Sequence, residues 1–163
     1  MRTDLVILGV GNLLMSDDGV GIHAARRLAP EPPGGACVVD AGTDFLSALP
    51  FLERARRVLV LDAVRGGAAP GTLHRLGPDD VALRPADGGA HLTSVLEARR
   101  FLPPDGTWPE IEVLGVEPHV LDYGLELSPS VAAALPALEA AARRIICDWA
   151  ERSSPSEPIQ AAS

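Results

Sequence analysis

Residues 4–28 read DLVILGVGNLLMSDDGVGIHAARRL, and the order of the parts in this stretch decides the fold. The nearly continuous apolar run over 4–9 is the pattern of a strand buried on both faces of a parallel sheet. A Gly-rich turn ends it. From Gly19 onward Val20, Ala24, Ala25 and Leu28 recur at helical spacing, until Pro30 and the loop EPPGG stop the helix. Strand, turn and helix in this order open a βαβ unit, which implies right-handed crossovers and a sheet with helices on both faces.

The rest of the chain repeats the alternation. A second strand is expected over 36–39, closed by Asp40, and Thr43 or Asp44 is placed to cap a helix whose apolar stripe is Phe45, Leu49 and Leu52, with Pro50 in its early part. A third strand over 57–61 ends at Asp62. The turn RGGAAPG leads to a short strand over 72–76 that adds antiparallel, and 77–90 read as loop. A helix follows His91, with Ser94 and Glu97 at capping-box spacing, and stops before Pro103 and Pro104. A strand over 111–116 comes next. The last helix opens at Ser128 with Pro129 in its first turn, carries Val131, Leu135, Leu138, Ile145, Ile146 and Trp149 on one stripe, and meets a kink-forming Pro136. The expected fold class is α/β, a three-layer α/β/α sandwich with a mostly parallel, twisted five-stranded sheet. One domain spans 1–152, and the tail 153–163 has too little to bury and reads as disordered.

Composition narrows the function. A chain of 163 residues buries enough surface for one core without staples, and 47% apolar with 22% charged residues is a globular balance. A net charge of −8 argues against electrostatic nucleic-acid binding, because neutralising phosphates needs a basic face. The longest near-apolar stretch, 5–15, is too short to span a bilayer and is broken by Gly9, Gly11 and Asn12, and no secretory pattern opens the chain, so no membrane partner is expected and the reading is cytoplasmic. Cys37 and Cys147 are too few for a disulfide framework and read as buried thiols.

In an open parallel sheet, ligands bind outside the carboxyl ends of the strands, so acidic and His residues just past strand ends are the candidates. Asp17 and Asp18 follow the first strand, Asp40 the second, Asp62 the third, and His91 lies in the loop after the short fourth. Carboxylates and an imidazole converging on one rim suit a divalent transition metal held by few ligands with open positions. Each residue also has a plainer role. Asp17 or Asp18 could start the helix at Gly19, Asp40 could brace the following turn, and His91 could be a loop residue or cap. Asp62, at the end of VLVLD, is harder to dismiss because a carboxylate there is costly to desolvate. The turn Gly9-Val10-Gly11 begins like a dinucleotide fingerprint, but Leu14 occupies the position of its third Gly. His23, His74 and His119 have no metal-motif spacing and read as surface residues, and no nucleophile and base pair is evident.

The segments GVGNLLMSDDGVG at 9–21, VVDAGTDFLSAL at 38–49, VLDAVRGGAAPGTLHRL at 60–76, the His91 region and GVEPHVLDYGLELSPSVAAAL at 115–135 resemble the hydrogenase maturation endopeptidases. The resemblance implies a processing protease that cuts a short C-terminal extension from the precursor of the nickel-iron hydrogenase large subunit once nickel is in place. By motif position it assigns Asp18, Asp62 and His91 as the metal-contacting and catalytic set, with nickel supplied by the substrate precursor. It assigns Asp40, Gly42, Thr43 and Asp17 to substrate recognition. Two departures stand out. Asp18 replaces a Glu common in the family, and Ala41 replaces the first Gly of an Asp-Gly-Gly-Thr pattern. Two other readings remain open at this point: a non-catalytic nickel-delivery or hydrogenase-assembly chaperone using the same ligands, and a nucleotide-binding oxidoreductase using the Gly9–Gly11 turn with Asp40 on a ribose.

Overall fold

The structure, a computed structural model, describes residues 4–77, 79, 80 and 108–153. Three apolar runs form its centre: β1 (Leu5–Val10), β3 (Arg57–Ala63) and β5 (Glu110–Val116). With β2 (Cys37–Gly42) and β4 (Leu73–Leu76) they make a five-stranded sheet in the order β2-β1-β3-β5-β4. Every pairing is parallel except β4 with β5. This is the expected α/β architecture, including the antiparallel edge strand.

The two faces carry separate cores. On one, Leu5, Ile7, Leu59, Leu61, Leu114 and Val116 pack against α1 (Val20–Leu28) and α3 (Pro129–Ser153), with Leu28, Leu138 and Ile146 fully enclosed. On the other, Val6, Leu8, Val58, Val60 and Val113 meet Ala48 and Leu52 from the segment after β2. The stripe expected for the last helix is buried, and α3 runs through Pro136 without ending there.

α1 lies close against the sheet because Gly21 allows it. A Cβ on Gly21 would stand 2.0 Å from the Leu61 carbonyl oxygen, and that atom belongs to a central strand that has no room to move. Gly21 therefore supplies the close helix-to-strand approach that a third fingerprint Gly would give, while Leu14, in that Gly's place, is exposed. Gly21→Ala is expected to cost about 3 kcal/mol through forced displacement of α1, read as a lower unfolding midpoint in urea. An unchanged midpoint would contradict this packing.

Several local expectations need correction. β2 runs to Gly42, so Asp40 lies within the strand instead of closing it, and β3 continues one residue past Asp62. The segment after β2 is a 3-10 turn at Phe45–Ala48 followed by a single α-turn, α2 (Leu49–Leu52), because Pro50 removes a donor early in what the apolar spacing suggested was one helix. Asp44 does cap it, its carboxylate accepting the Leu46 N–H at 2.9 Å. Cys37 is half-buried and Cys147 exposed, since α3 turns Cys147 away from the stripe formed by Ile145, Ile146 and Trp149. The helix after His91 lies outside the described residues, as do the loop before it, apart from Gly77 and the helical Asp79 and Asp80, and the tail, apart from Ser153, which ends α3 instead of opening the tail. No helix among the described residues is long and apolar enough to cross a membrane.

Candidate functional site

The chain leaves β1 toward β2 on one side, whereas β3 lies on the other, so the strand order reverses between β1 and β3. At such a switch point the connecting loops diverge and open a crevice at the carboxyl edge. Asp18, in the 3-10 turn that follows β1, and Asp62, next to last in β3, flank it. Asp18 is half-buried and its Oδ2 accepts the Asn12 N–H at 3.0 Å, which folds the loop back on itself. Asp62 is only 1% exposed, and its Oδ1 accepts the N–H of Ala63 at 2.8 Å. Across the sheet Asp62 pairs with Gly115 and Gly115 pairs with His74, and the Val64 side chain fills the space that a Cβ on Gly115 would take. His91, the third expected member, lies outside the described residues.

The neighbouring carboxylate has a different task. Asp17 is fully buried, and its two oxygens accept from the His119 N–H, the Val120 N–H, the Ser128 N–H and the Ser128 hydroxyl at 2.7–2.9 Å. Burial pushes the Asp17 carboxyl up, but the bonds from Val120, Ser128 and His119 outweigh it and hold the group below the ordinary carboxylate range. Ser128 accepts the first backbone bond of α3 from the Ala132 N–H, so Asp17 also meets the positive end of that helix dipole. The Asp17 expected to serve in recognition has no exposure and both oxygens engaged, and it ties the loop after β1 to the loop after β5. Backbone bonds from Asp17 N to Val120 O, Ser16 N to Gly124 O and Gly124 N to Leu14 O complete the tie. Ser16 adopts φ +52°, a left-handed conformation that these contacts hold in place.

The expected recognition residues of β2 sit at the same edge. Asp40 turns toward α1 and forms an ion pair with Arg26 at 2.8 Å, whereas Asp62 shares the opposite face with Val58 and Val60. Asp40 also accepts the Gly42 N–H. Gly42, at φ +55°, accepts the Gly11 N–H at 2.9 Å, and Thr43 beyond it is exposed. Asp40 and Asp62 therefore do not converge directly, because the two-residue period of the strands points them to opposite faces.

One cluster escaped sequence reading. Glu117, directly after β5, is buried and accepts from the Gly66, Gly67 and Ala68 N–H groups and from the His74 ring, whose Nε2 lies 2.7 Å away. Burial pushes its carboxyl up, and the bonds from Gly66, His74, Ala68 and Gly67 more than reverse that. The loop leaving β3 just past Asp62 is held by this carboxylate. His74 is thus a partner in a buried pair, correcting the expectation of a surface residue. His23 is also partly buried, with burial first and then Arg26 and Arg27 lowering its pKa, whereas His119 is exposed as expected. The sole sequence hint of the cluster was an acidic residue following an apolar strand, the feature that marked Asp62.

Asp17 and Glu117 make acid stability predictable. A carboxyl whose folded-state pKa is depressed stabilises the fold above its unfolded pKa of about 4, and that contribution is lost as pH falls toward the folded value. Glu117→Gln is therefore expected to flatten the fall of unfolding free energy between about pH 5 and pH 3. Urea titrations at stepped pH that give the same acid-side slope for variant and wild type would contradict it.

The family profile described as hydrogenase maturation protease matches residues 22–145. The chain belongs to the hydrogenase maturation protease family. It is 36% identical over 154 residues to the hydrogenase expression/formation protein HupD of Rhodobacter capsulatus, an alignment covering 89% of this chain and 72% of that protein. It is 37% identical over 79 residues to the hydrogenase 3 maturation protease of Escherichia coli K12, covering 47% and 51% of the two chains. The solved [NiFe] hydrogenase maturation protease HybD from Thermococcus kodakarensis has the same fold, with a TM-score of 0.74 and 26% identity over 88% of this chain and 99% of that one. This maturation protease is accordingly an endopeptidase. The dinucleotide reading has no support in its geometry, since Asp18 already occupies the Asn12 N–H in the Gly-rich turn and Arg26 holds Asp40.

Proposed function

We propose that this protein removes the C-terminal extension of a nickel-iron hydrogenase large-subunit precursor after nickel insertion, and that nickel held by the substrate is what it recognises. Asp18, Asp62 and His91 contact that metal in this reading, with Gly42 and Thr43 at the rim contacting the polypeptide and Asp40 aligned through Arg26. The observation that carries it is the placement of Asp18 and Asp62 on either side of the β1/β3 switch point in a chain of this family.

The energetics favour a gate. Asp62 is almost fully covered, and a buried carboxylate regains little from a neutral peptide but much from a divalent ion. A nickel-free precursor offers no such compensation, so discrimination arises from differential binding. Contact with Asp62 requires the rim to open as the substrate docks. Hydrolysis then follows the simplest scheme for a carboxylate beside a metal: an Asp takes a proton from water as the oxygen attacks the scissile carbonyl, and returns it to the departing amide nitrogen.

The experiment is incubation of the purified protein with a nickel-loaded precursor, followed by mass measurement of the released fragment. A single peptide from the C-terminus is expected. Intact precursor, or cuts at scattered positions, would contradict the proposal.

A further inference from the structure

Among the described residues, the large apolar side chains left exposed are Leu14 at 58%, Leu46 at 53%, Tyr123 at 89% and Leu125 at 71%. All of them lie on segments that leave the carboxyl edge: Leu14 after β1, Leu46 after β2, Tyr123 and Leu125 after β5. Isolated exposed apolar residues need no explanation, but a group confined to one edge marks an interaction surface.

Three of these residues belong to one rigid unit. Met15 and Gly124 form a parallel bridge, and Gly124 donates to the Leu14 carbonyl at 3.0 Å and accepts from Ser16, which sets Leu14 beside Tyr123 and Leu125. Asp17 fixes both loops from beneath. The backbone is therefore held in place while its apolar side chains face outward, an arrangement that lowers the ordering cost of binding. Tyr123 is the type of side chain that anchors interfaces, with large area and few rotatable bonds. The surround is acidic: Asp122 and Glu126 are exposed on either side of the Tyr123–Leu125 segment, and Asp44 is exposed beside Leu46. Asp18 sits on the same loop as Leu14, so this surface is continuous with the candidate site.

We infer that Leu14, Tyr123 and Leu125 form the docking surface for the protein substrate, and that they take a substrate segment whose apolar side chains are flanked by Lys or Arg. The inference rests on the proposed proteolytic function, naming the part of the rim that holds the polypeptide while Asp18 and Asp62 meet the metal. Apolar contact supplies affinity, and the acidic surround speeds encounter and excludes acidic segments.

The test uses the full chain, a nickel-loaded large-subunit precursor and the double variant Tyr123→Ser with Leu125→Ser. Binding is read by interferometry on immobilised precursor and cleavage by intact mass. The variant is expected to raise both Kd and KM by at least about 30-fold, in line with loss of an aromatic anchor, while kcat at saturating substrate changes less than about twofold. Asp122→Asn with Glu126→Gln is expected to slow association several-fold at low salt and little at high salt. Unchanged Kd and KM in a variant that keeps wild-type stability would overturn the inference. So would a concentration-dependent dimer of the wild type that the double variant abolishes without effect on precursor binding, since the occupant would then be a second copy. If the wild type binds the precursor through this surface but never cuts it, the proteolytic reading fails and the docking surface stands.

Discussion

Asp17→Asn is expected to lower the free energy of unfolding by about 4 kcal/mol, although the substitution preserves the size and shape of the side chain. The reason lies in what the carboxylate receives. Oδ1 accepts the Ser128 N–H, while Oδ2 accepts the His119 and Val120 N–H groups together with the Ser128 hydroxyl. An amide presents one oxygen and one NH₂, so either orientation aims donors at donors in a site with no exposure to water. Each buried donor left without an acceptor costs about 1–3 kcal/mol. The hydroxyl of Ser128 alone is free to rotate and accept instead. Urea unfolding gives the global effect, and amide exchange at Val120 and Ser128 separates it from local opening of the loop after β5. A variant within about 0.5 kcal/mol of wild type would show that the carboxylate is not the tie described.

One residue away the expected outcome is the reverse. Asp18→Asn should leave stability within about 1 kcal/mol, because the amide oxygen still accepts from Asn12, yet reduce processing of a nickel-loaded precursor at least about 100-fold. The proposed role of Asp18 needs negative charge toward a cation, and the amide has none. Circular dichroism with thermal unfolding checks the first half and single-turnover cleavage the second. Full activity in Asp18→Asn would remove Asp18 from the metal-contacting set. On the proposed reading the pair Asp17 and Asp18 separates a structural carboxylate from a functional one within a single dipeptide.

Much of the fold was legible because its signals are local. The runs LVILGV, VLVL and IEVLGV are apolar without alternation, as strands covered on both faces must be, and the α3 stripe from Val131 to Trp149 follows helical spacing through Pro136. The cap at Asp44 and the antiparallel β4 were equally local. The errors fall where tertiary contact overrides local pattern. β2 extends past Asp40 because Gly42 pairs with Val10 of β1 and accepts from Gly11 just beyond it, contacts that no reading of 36–43 alone reveals. Cys147 reads as core from its apolar neighbours, but one step along a helix turns a side chain by about 100°.

The site shows the same division. The placement of Asp18 and Asp62 at one edge is legible because residues at the carboxyl ends of parallel strands share an edge whatever their distance in sequence. The task of Asp17 was hidden, since every partner of its carboxylate lies more than 100 residues away. Glu117 and His74 are 43 residues apart and meet only because β4 returns antiparallel beside β5. Long-range pairing of polar groups leaves no periodicity behind, so a saturated structural carboxylate and a poised functional one look alike in sequence.

The measurement that tests the account most directly is intact-mass analysis of two samples of one large-subunit precursor, nickel-loaded and nickel-free, each incubated with this protein under the same conditions. Loss of a C-terminal peptide from the loaded precursor alone is the predicted result. Equal cleavage of both would contradict recognition through the metal, and cleavage of neither would contradict the proposed processing step itself.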